Sequence, residues 1–339
     1  MMSVLLVSCS KKEDKPVSGK NQFAVDSSDI KTSPVDNPNE SFVLKYSYEK
    51  GKKYNYRISF LASDKQIMKS DSTITKSVRQ NSFYLLELTP SEIDPDGIME
   101  LNIVFTSSKV DAVDPNGIKY SYEYGVTKDS LEKVKFAEYD ALINNPFSIR
   151  VSKSGEILEI MRADRISRRY IELKGFADSL STEQKSGVTK NLADQLLRPL
   201  MNQIFRKVPD HNLAKDSSWA YPQPPTQGSV FKLENTNVYN VTNLEKLNND
   251  KIAVIDGYLK TVVTGNSKVT DRGINYNFSK PVTSAGGKIY FNVTKGFVIK
   301  SKTNSKMESH VSMEGITPAG KQKGEKWETI DNTYIMELL

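Results

Sequence analysis

Two long blocks of this chain alternate apolar and polar residues with a period of two, and nothing helical separates the apolar runs of the second block. A strand sends successive side chains to opposite faces, so this pattern demands antiparallel, half-buried strands joined by turns, not a β-α-β series. In the first block Phe42, Leu44, Tyr46 and Tyr48 alternate with polar neighbours, Glu49-Lys50-Gly51-Lys52 reads as a turn, and Tyr54, Tyr56, Ile58 and Phe60 alternate again. The spacing predicts a hairpin. More strands are expected near 66–77, 80–90, 98–109 and 117–126. Asp94-Pro95-Asp96-Gly97 and Asp114-Pro115-Asn116-Gly117 read as turns, because proline presets φ and glycine accepts positive φ. The second block begins at Trp219, with strands expected near 229–242, 250–264, 272–282, 286–294, 296–303, 306–314 and 326–338. Asn248-Asn249-Asp250, Gly265-Asn266, Gly286-Gly287 and Lys295-Gly296 read as its turns.

Helical patterns lie between the blocks. Asp129–Ile143 is one, stopped by Pro146; Phe147–Ile160 is a strand–turn–strand around Ser154-Gly155; Met161–Phe176 is a second helix, crowded with Arg162, Arg165, Arg168 and Arg169. Such a cluster usually forms a solvated face. Ser181 and Gln184 then have the spacing of a capping box. Val188, Leu192, Leu196, Leu200 and Ile204 recur at every fourth position, widened by Leu197, Met201 and Phe205. A stripe that broad needs a large apolar partner surface. If the helix is a cover, the stripe is core; if it is a lid, Leu192, Leu196, Leu200 and Ile204 line an apolar cavity. Pro199 lacks the N–H that would bond Gln195 and its ring crowds that carbonyl, which predicts a kink.

The fold class expected is therefore α+β, mostly antiparallel β: two β-meander halves separated by a helical layer. An unclosed barrel covered by helices is one form this can take. The divisions are 41–160 for the first β half, 161–217 for the helical layer and 218–339 for the second β half.

The N-terminus carries a separate signal. Residues 1–8, MMSVLLVS, are short and apolar, and Leu6-Val7-Ser8-Cys9 resembles the lipobox that ends a bacterial lipoprotein signal peptide. The basic n-region of a full signal peptide is missing. The resemblance implies removal of residues 1–8 and acylation of Cys9, the only cysteine of the chain. It implies localisation as a lipid-anchored protein of the outer membrane, on its periplasmic face or at the cell surface. Lys12, Glu13 and Asp14 resemble the signal that exports such proteins to the surface in Bacteroidetes. Residues 15–40 are polar and proline-containing, so the segment 9–40 is expected to be a flexible tether.

Chemistry is sparse. A lone cysteine excludes an internal disulfide and any cysteine-based metal site. His211 and His310 have no metal-ligand spacing, so no metal or cofactor is expected. A Ser217/His211/Asp216 relay can be drawn, but no nucleophile-elbow turn accompanies it. Glu92 with Asp94, Asp94 with Asp96, and Glu138 with Asp140 are the paired acids that a glycan hydrolase would need facing a cleft. Acids in turns are the commoner explanation, as is an exposed strand position for His310. Ser284-Ala285-Gly286-Gly287-Lys288 lacks the P-loop spacing and reads as a hairpin turn. Net charge is +6, but Lys and Arg are scattered rather than clustered, so no nucleic-acid partner is expected. Trp219 and Trp327 read as packing residues before sugar platforms.

The tyrosine-rich first hairpin, the Pro146-Phe147 strand with its Gly155 turn, the helix ending in Phe205, Pro209, and Asp216-Ser217-Ser218-Trp219 together resemble an uncharacterised family of bacterial lipoproteins, a domain of unknown function. The likeness spans most of 41–339. That family supplies no catalytic residues to carry over. In its strands and covering helices the chain also resembles lipoprotein carriers built on an open barrel. The expectation is a non-enzymatic envelope lipoprotein, anchored to the membrane, that binds an apolar ligand or an envelope protein partner. The alternatives are a carboxylate-dependent envelope hydrolase acting on glycans and a structural subunit of a surface complex.

Overall fold

The computed structural model describes residues 22–317 and 320–339. Cys9, Lys12, Glu13 and Asp14, and with them the lipobox and the export-like signal, lie outside the described residues.

The fold is mostly antiparallel sheet with a small helical layer. In the first half, a short edge strand β1 (Ser33–Pro34) precedes β2 (Tyr54–Lys69), β3 (Thr73–Ile93), β4 (Met99–Val113) and β5 (Lys119–Glu123). Helices α1 (Ser130–Lys135) and α2 (Ala137–Leu142) lead into β6 (Phe147–Val151) and β7 (Ile157–Met161). Then come α3 (Asp164–Leu173), α4 (Thr182–Leu192) and α5 (Arg198–Ile204). The second half holds β8 (Ser218–Pro222), β9 (Thr226–Gly228), β10 (Phe231–Leu247), β11 (Asp250–Gly265), β12 (Lys268–Asp271), β13 (Ile274–Phe278), β14 (Val282–Asn292), β15 (Phe297–Thr317) and β16 (Gly320–Leu338).

All strands belong to one open sheet of order β1-β10-β11-β14-β15-β16-β2-β3-β4-β6-β7, with the shorter strands paired to its flanks. The two halves meet where the last strand, β16, pairs with the first long one, β2, from Leu338 opposite Tyr56 to Glu325 opposite Lys69. On the outer side of this seam Arg57 donates from Nε and Nη2 to Glu337 at 2.9 and 2.6 Å. Lys300 on β15 lies 3.4 Å from the same carboxylate.

Both Asp-Pro turns form as the sequence predicts. Asp94 and Asp114 each accept from the glycine three residues on, and Gly97 and Gly117 have φ of 84° and 82°. Other expectations need correction. The spans 66–77, 296–303 and 306–314 are not separate strands: β2 runs to Lys69 and turns at Ser70-Asp71-Ser72, and β15 continues through Asn304-Ser305. Polar residues inside these strands resemble breaks because the sheet extends beyond its helical cover, where both faces meet solvent. Gly286-Gly287 is not a turn either. The pair lies inside β14, where a Cβ on Gly287 would come 2.2 Å from the Lys302 carbonyl oxygen.

The segment Phe42–Tyr48 is not the first strand of a hairpin. The turn after it exists, with Gly51 at φ 77°. The segment itself crosses the inner face of the sheet as a strap, its alternate residues Phe42, Leu44, Tyr46 and Tyr48 buried. The Tyr46 and Ser47 amides donate to Lys153 and Gly296 carbonyls at 2.8 Å each, and Phe42 exchanges backbone bonds with Leu213. The strap sits between two hairpin turns that only glycine permits. A Cβ on Gly155 would meet the Tyr46 ring at 2.4 Å and the Arg206 carbonyl at 2.5 Å; one on Gly296 would meet the Lys45 carbonyl at 2.7 Å. Period-two burial arises here from packing, without a ladder.

The core fills the space between strap, helices and one end of the inner sheet face. Tyr46, Tyr56, Tyr122, Phe105, Phe147, Phe205 and Phe291 are its largest fully buried side chains. Each buries enough apolar area for roughly 1.5–3 kcal/mol against exposure.

Ser181 caps α4 with the full capping box. The kink expected at Pro199 takes the form of a π-turn over Ala193–Leu197, in which the Arg198 N–H reaches back to the Ala193 carbonyl. The wider turn removes the demand for a bond between position 199 and Gln195, and it inserts one residue into the helical register. The buried seam therefore moves from Leu192, Leu196 and Leu200, which are half-buried, to Leu197, Met201, Ile204 and Phe205, which are fully buried.

The tether expectation also needs correction for its described part. Asp26 and Asp29 pair with Lys300 and Lys288 at 2.9 and 2.7 Å, Phe23 packs on Phe83, and β1 pairs with β10. Scattered charges and single apolar residues found complementary sites on the outer face.

Candidate functional site

In an antiparallel ladder, residues directly opposite share a face. Following the register outward from the core identifies what the inner face presents where helices no longer cover it. Ile58, Met336, Ile289, Ile255 and Val241 are core. One step out, a row runs Ser82–Phe60–Tyr334–Thr303–Gly287–Gly257–Tyr239–Trp219 across β3, β2, β16, β15, β14, β11, β10 and β8. The Phe60 and Tyr334 rings stack at 4.6 Å. Beyond them on the same face lie Ala62, Ala285 and Leu259, then Ile330 opposite Met307. Phe60, Tyr334, Leu259, Ile330 and Met307 are all half-buried. They stand outside the packed core cluster, while α5 packs on β7 and β16 and α2 on β4.

The opposite face of the same strands is polar and more exposed: Asn304, Lys306 and Glu308 on β15, Asp331 on β16. The sheet is thus amphipathic in a region where, among the described residues, no helix lies over its apolar side. Burial of Tyr334 pushes its hydroxyl pKa up. A polar stripe follows the apolar patch: Gln66 donates to Asp64 and Glu328 at 3.1 and 2.7 Å, and Lys326 lies 3.3 Å from Glu328. Past that stripe Met68, Val311, Met313 and Phe278 resume an apolar surface.

Of the expected cavity residues, Ile204 is in the packed core. Leu192 and Leu196 line an open cleft of about 310 Å³ with Glu138, Tyr170 and Val188, and Leu200 packs half-buried against the core. The stripe does not enclose one cavity, because the π-turn splits it between two environments.

The inner end of the apolar patch carries a cavity of about 50 Å³ lined by Arg206, Tyr239, Gly257, Gly287, Ile289 and Thr303, among others. Sequence reading missed it by taking Gly286-Gly287 as a turn. The usable signal was glycine inside strand patterns, which marks a close approach of backbone or ligand. Across the sheet, a cleft of about 800 Å³ lies near Lys69, Lys268, Glu314, Lys323 and Glu325.

Two of the acids singled out in the sequence, Asp140 and Asp94, are engaged by arginines. Asp140 is buried and accepts from the Tyr122 hydroxyl at 2.9 Å and from Arg169 at 3.0 Å, while Arg162, Arg165, Arg168 and Arg169 are all exposed, as a solvated face requires. Asp94 accepts from Arg150 at 3.4 Å. Ser217 accepts through its hydroxyl from the Ala214 amide at 2.9 Å, a turn contact. His310 is half-buried, stacked on Trp327 at 4.8 Å, with Nδ1 3.1 Å from Ser279, because a cross-strand aromatic covers it. Trp219 stacks on Tyr239 at 5.4 Å against the core. Among the described residues no group of three or more His, Cys, Asp or Glu is placed to hold a metal ion. Also among them, no helix is long and apolar enough to cross a membrane.

A family model, described as a family of unknown function (DUF6263), matches residues 96–298. No curated protein matches the chain. Among solved structures, lipovitellin is similar over 86% of this chain at 10% identity with a TM-score of 0.40, the chain spanning 25% of lipovitellin's length. An outer membrane channel from Pseudomonas putida F1 is similar over 87% of this chain and 97% of its own length, at 6% identity and a TM-score of 0.17.

Proposed function

The chain belongs to the DUF6263 family of unknown function, and from its geometry we propose that it is a non-enzymatic envelope lipoprotein that binds an apolar ligand along the uncovered inner face of its sheet. One observation carries the reading. The half-buried residues Phe60, Tyr334, Ile330 and Met307, with Asn332 and Ser305 between them, continue the face of the core past the end of its helical cover. Exposed apolar surface of this kind usually marks a binding site, since leaving it in water costs about 25 cal/mol per Å². A single acyl chain suits a narrow surface that spans β2, β16 and β15 and is interrupted by a polar stripe. Acylation of Cys9 would tether the body to the outer membrane, with Lys12, Glu13 and Asp14 directing it to the surface. Two or more acyl chains suffice for stable anchoring.

Native mass spectrometry of delipidated protein from its own bacterium is expected to show co-purified lipid, and a fluorescent apolar probe is expected to bind and be displaced by it. Lipid-free protein that binds no probe would refute the ligand reading. Cys9→Ala is expected to move the protein from the membrane to the soluble fraction. An unmodified Cys9 thiol in protein recovered from the cytosol would refute the anchor.

A further inference from the structure

We propose that Arg206 holds the carboxylate of a fatty acid whose chain lies along the inner face of β15 and β16. The inference rests on the apolar-ligand reading above and adds the head group to it.

Arg206 follows Phe205, the C-cap of α5, and its backbone is fixed. The Arg206 amide donates to the Tyr46 hydroxyl at 2.8 Å, which in turn donates to the Ile204 carbonyl at 3.3 Å. Its guanidinium meets only neutral groups: Nη2 donates to Gln203 Oε1 and Thr303 Oγ1 at 3.2 Å each, and Nε is buried with no hydrogen-bond partner. Arg57, Arg150, Arg162, Arg168, Arg169 and Arg198 each pair with a carboxylate. Arg79, Arg165, Arg206 and Arg272 pair with none among the described residues, and of these four only Arg206 is not exposed. A buried donor on a charged group left unsatisfied is costly, and an anion is the natural complement of the planar fork.

The space beside it is built to stay open. Gly257 and Gly287 are cross-strand partners on the cavity floor. A Cβ on Gly257 would come within 3.3 Å of the Tyr239 ring, and one on Gly287 would collide with β15 backbone. The cavity of about 50 Å³ holds roughly three to five water-sized groups at about 10–15 Å³ each. That fits a carboxylate and is too small for a phosphate with its glycerol. The cavity opens on the apolar row, since Thr303 in its lining pairs with Tyr334. At about 3.3 Å per residue the chain would run roughly 13 Å from Thr303 to Met307. An acyl chain in half of a bilayer core spans about 15 Å. Head and tail are therefore matched by one cation and a strip on which Tyr334, Ile330 and Met307 flank the small polar pair Ser305 and Asn332, at the right separation.

The test uses full-length delipidated protein with laurate and 1-dodecanol, which share a chain and differ in head charge, competing against a bound fluorescent apolar probe. Wild type is expected to bind laurate at least tenfold tighter than dodecanol. Arg206→Gln is expected to lose that preference while binding dodecanol as wild type does, which also reports that the sheet face is intact. Arg206→Lys is expected to keep part of it. Equal affinity of wild type for the two, an undiminished preference in Arg206→Gln, or a stronger preference for lysophosphatidic acid would each overturn the head-group assignment and leave the apolar site standing. Binding of neither compound would overturn the apolar site and this inference together.

Discussion

The π-turn at Ala193–Leu197 makes a prediction that separates the tertiary structure from the plain helical pattern. A regular helix from Ser181 to Ile204 would bury Leu192, Leu196 and Leu200 as one stripe. With one residue inserted, Leu197 and Met201 are fully buried and Leu196 and Leu200 are half-buried. Truncating a fully buried leucine removes its transfer energy and leaves a cavity, so Leu197→Ala is expected to cost about 3–4 kcal/mol. Leu196→Ala removes a side chain already in partial contact with water at the edge of an open cleft, and is expected to cost about 1 kcal/mol. Urea denaturation followed by tyrosine and tryptophan fluorescence reads the difference as a shift of midpoint at constant slope. In thermal scans the first variant should lose roughly 4–6 °C and the second about 1–2 °C. Equal losses, or a larger loss for Leu196→Ala, would show that the helix is regular and that the seam argument is wrong.

Gly155→Ala is expected to cost 3 kcal/mol or more, because the methyl would stand 2.4 Å from the Tyr46 ring at φ 81°. Gly51→Ala, at φ 77° in open space, should cost only about 1–2 kcal/mol from the left-handed backbone; equal urea midpoints would refute the strap packing. Met307→Asp should weaken apolar-probe binding at least tenfold while changing stability by no more than about 1 kcal/mol, and intact binding would place the ligand elsewhere. Burial raises the pKa of Tyr46, Tyr48, Tyr56 and Tyr84. Their folded pKa lies above the unfolded value of about 10, so the unfolded chain binds fewer protons and stability falls as pH rises past that value. The urea midpoint should hold up to about pH 9 and decline above it; a midpoint flat to higher pH would contradict burial of these hydroxyls.

Much of the local structure was legible because its causes lie within a few residues of each other. Asp94-Pro95-Asp96-Gly97 contains both the preset φ and the glycine that a turn needs, and Ser181 with Gln184 contains both halves of a capping box. Alternation identified Phe42–Tyr48 as buried on every second residue, yet the same alternation serves a ladder strand and a strap packed on a sheet. Which it becomes depends on Gly155 and Gly296, far along the chain, admitting the backbone. The candidate site was illegible for a related reason. Phe60, Tyr334, Thr303, Gly287 and Gly257 meet only through the registers of five different strands, and the isolation of Arg206 from every carboxylate is a property of the packed molecule.

The sequence by itself determined the class of the protein: antiparallel strands from the period of two, the turns from proline and glycine, the capped helix from its serine, and the apolar surface each element had to bury. These are short-range consequences of backbone sterics and hydrogen bonding. Only the tertiary structure decided that both halves form one open sheet through β16 and β2, that the helix changes register before Pro199, and that part of the apolar face is left without a cover. Each depends on which surfaces distant segments present to one another, and burial energy does not encode that choice in any single stretch of chain.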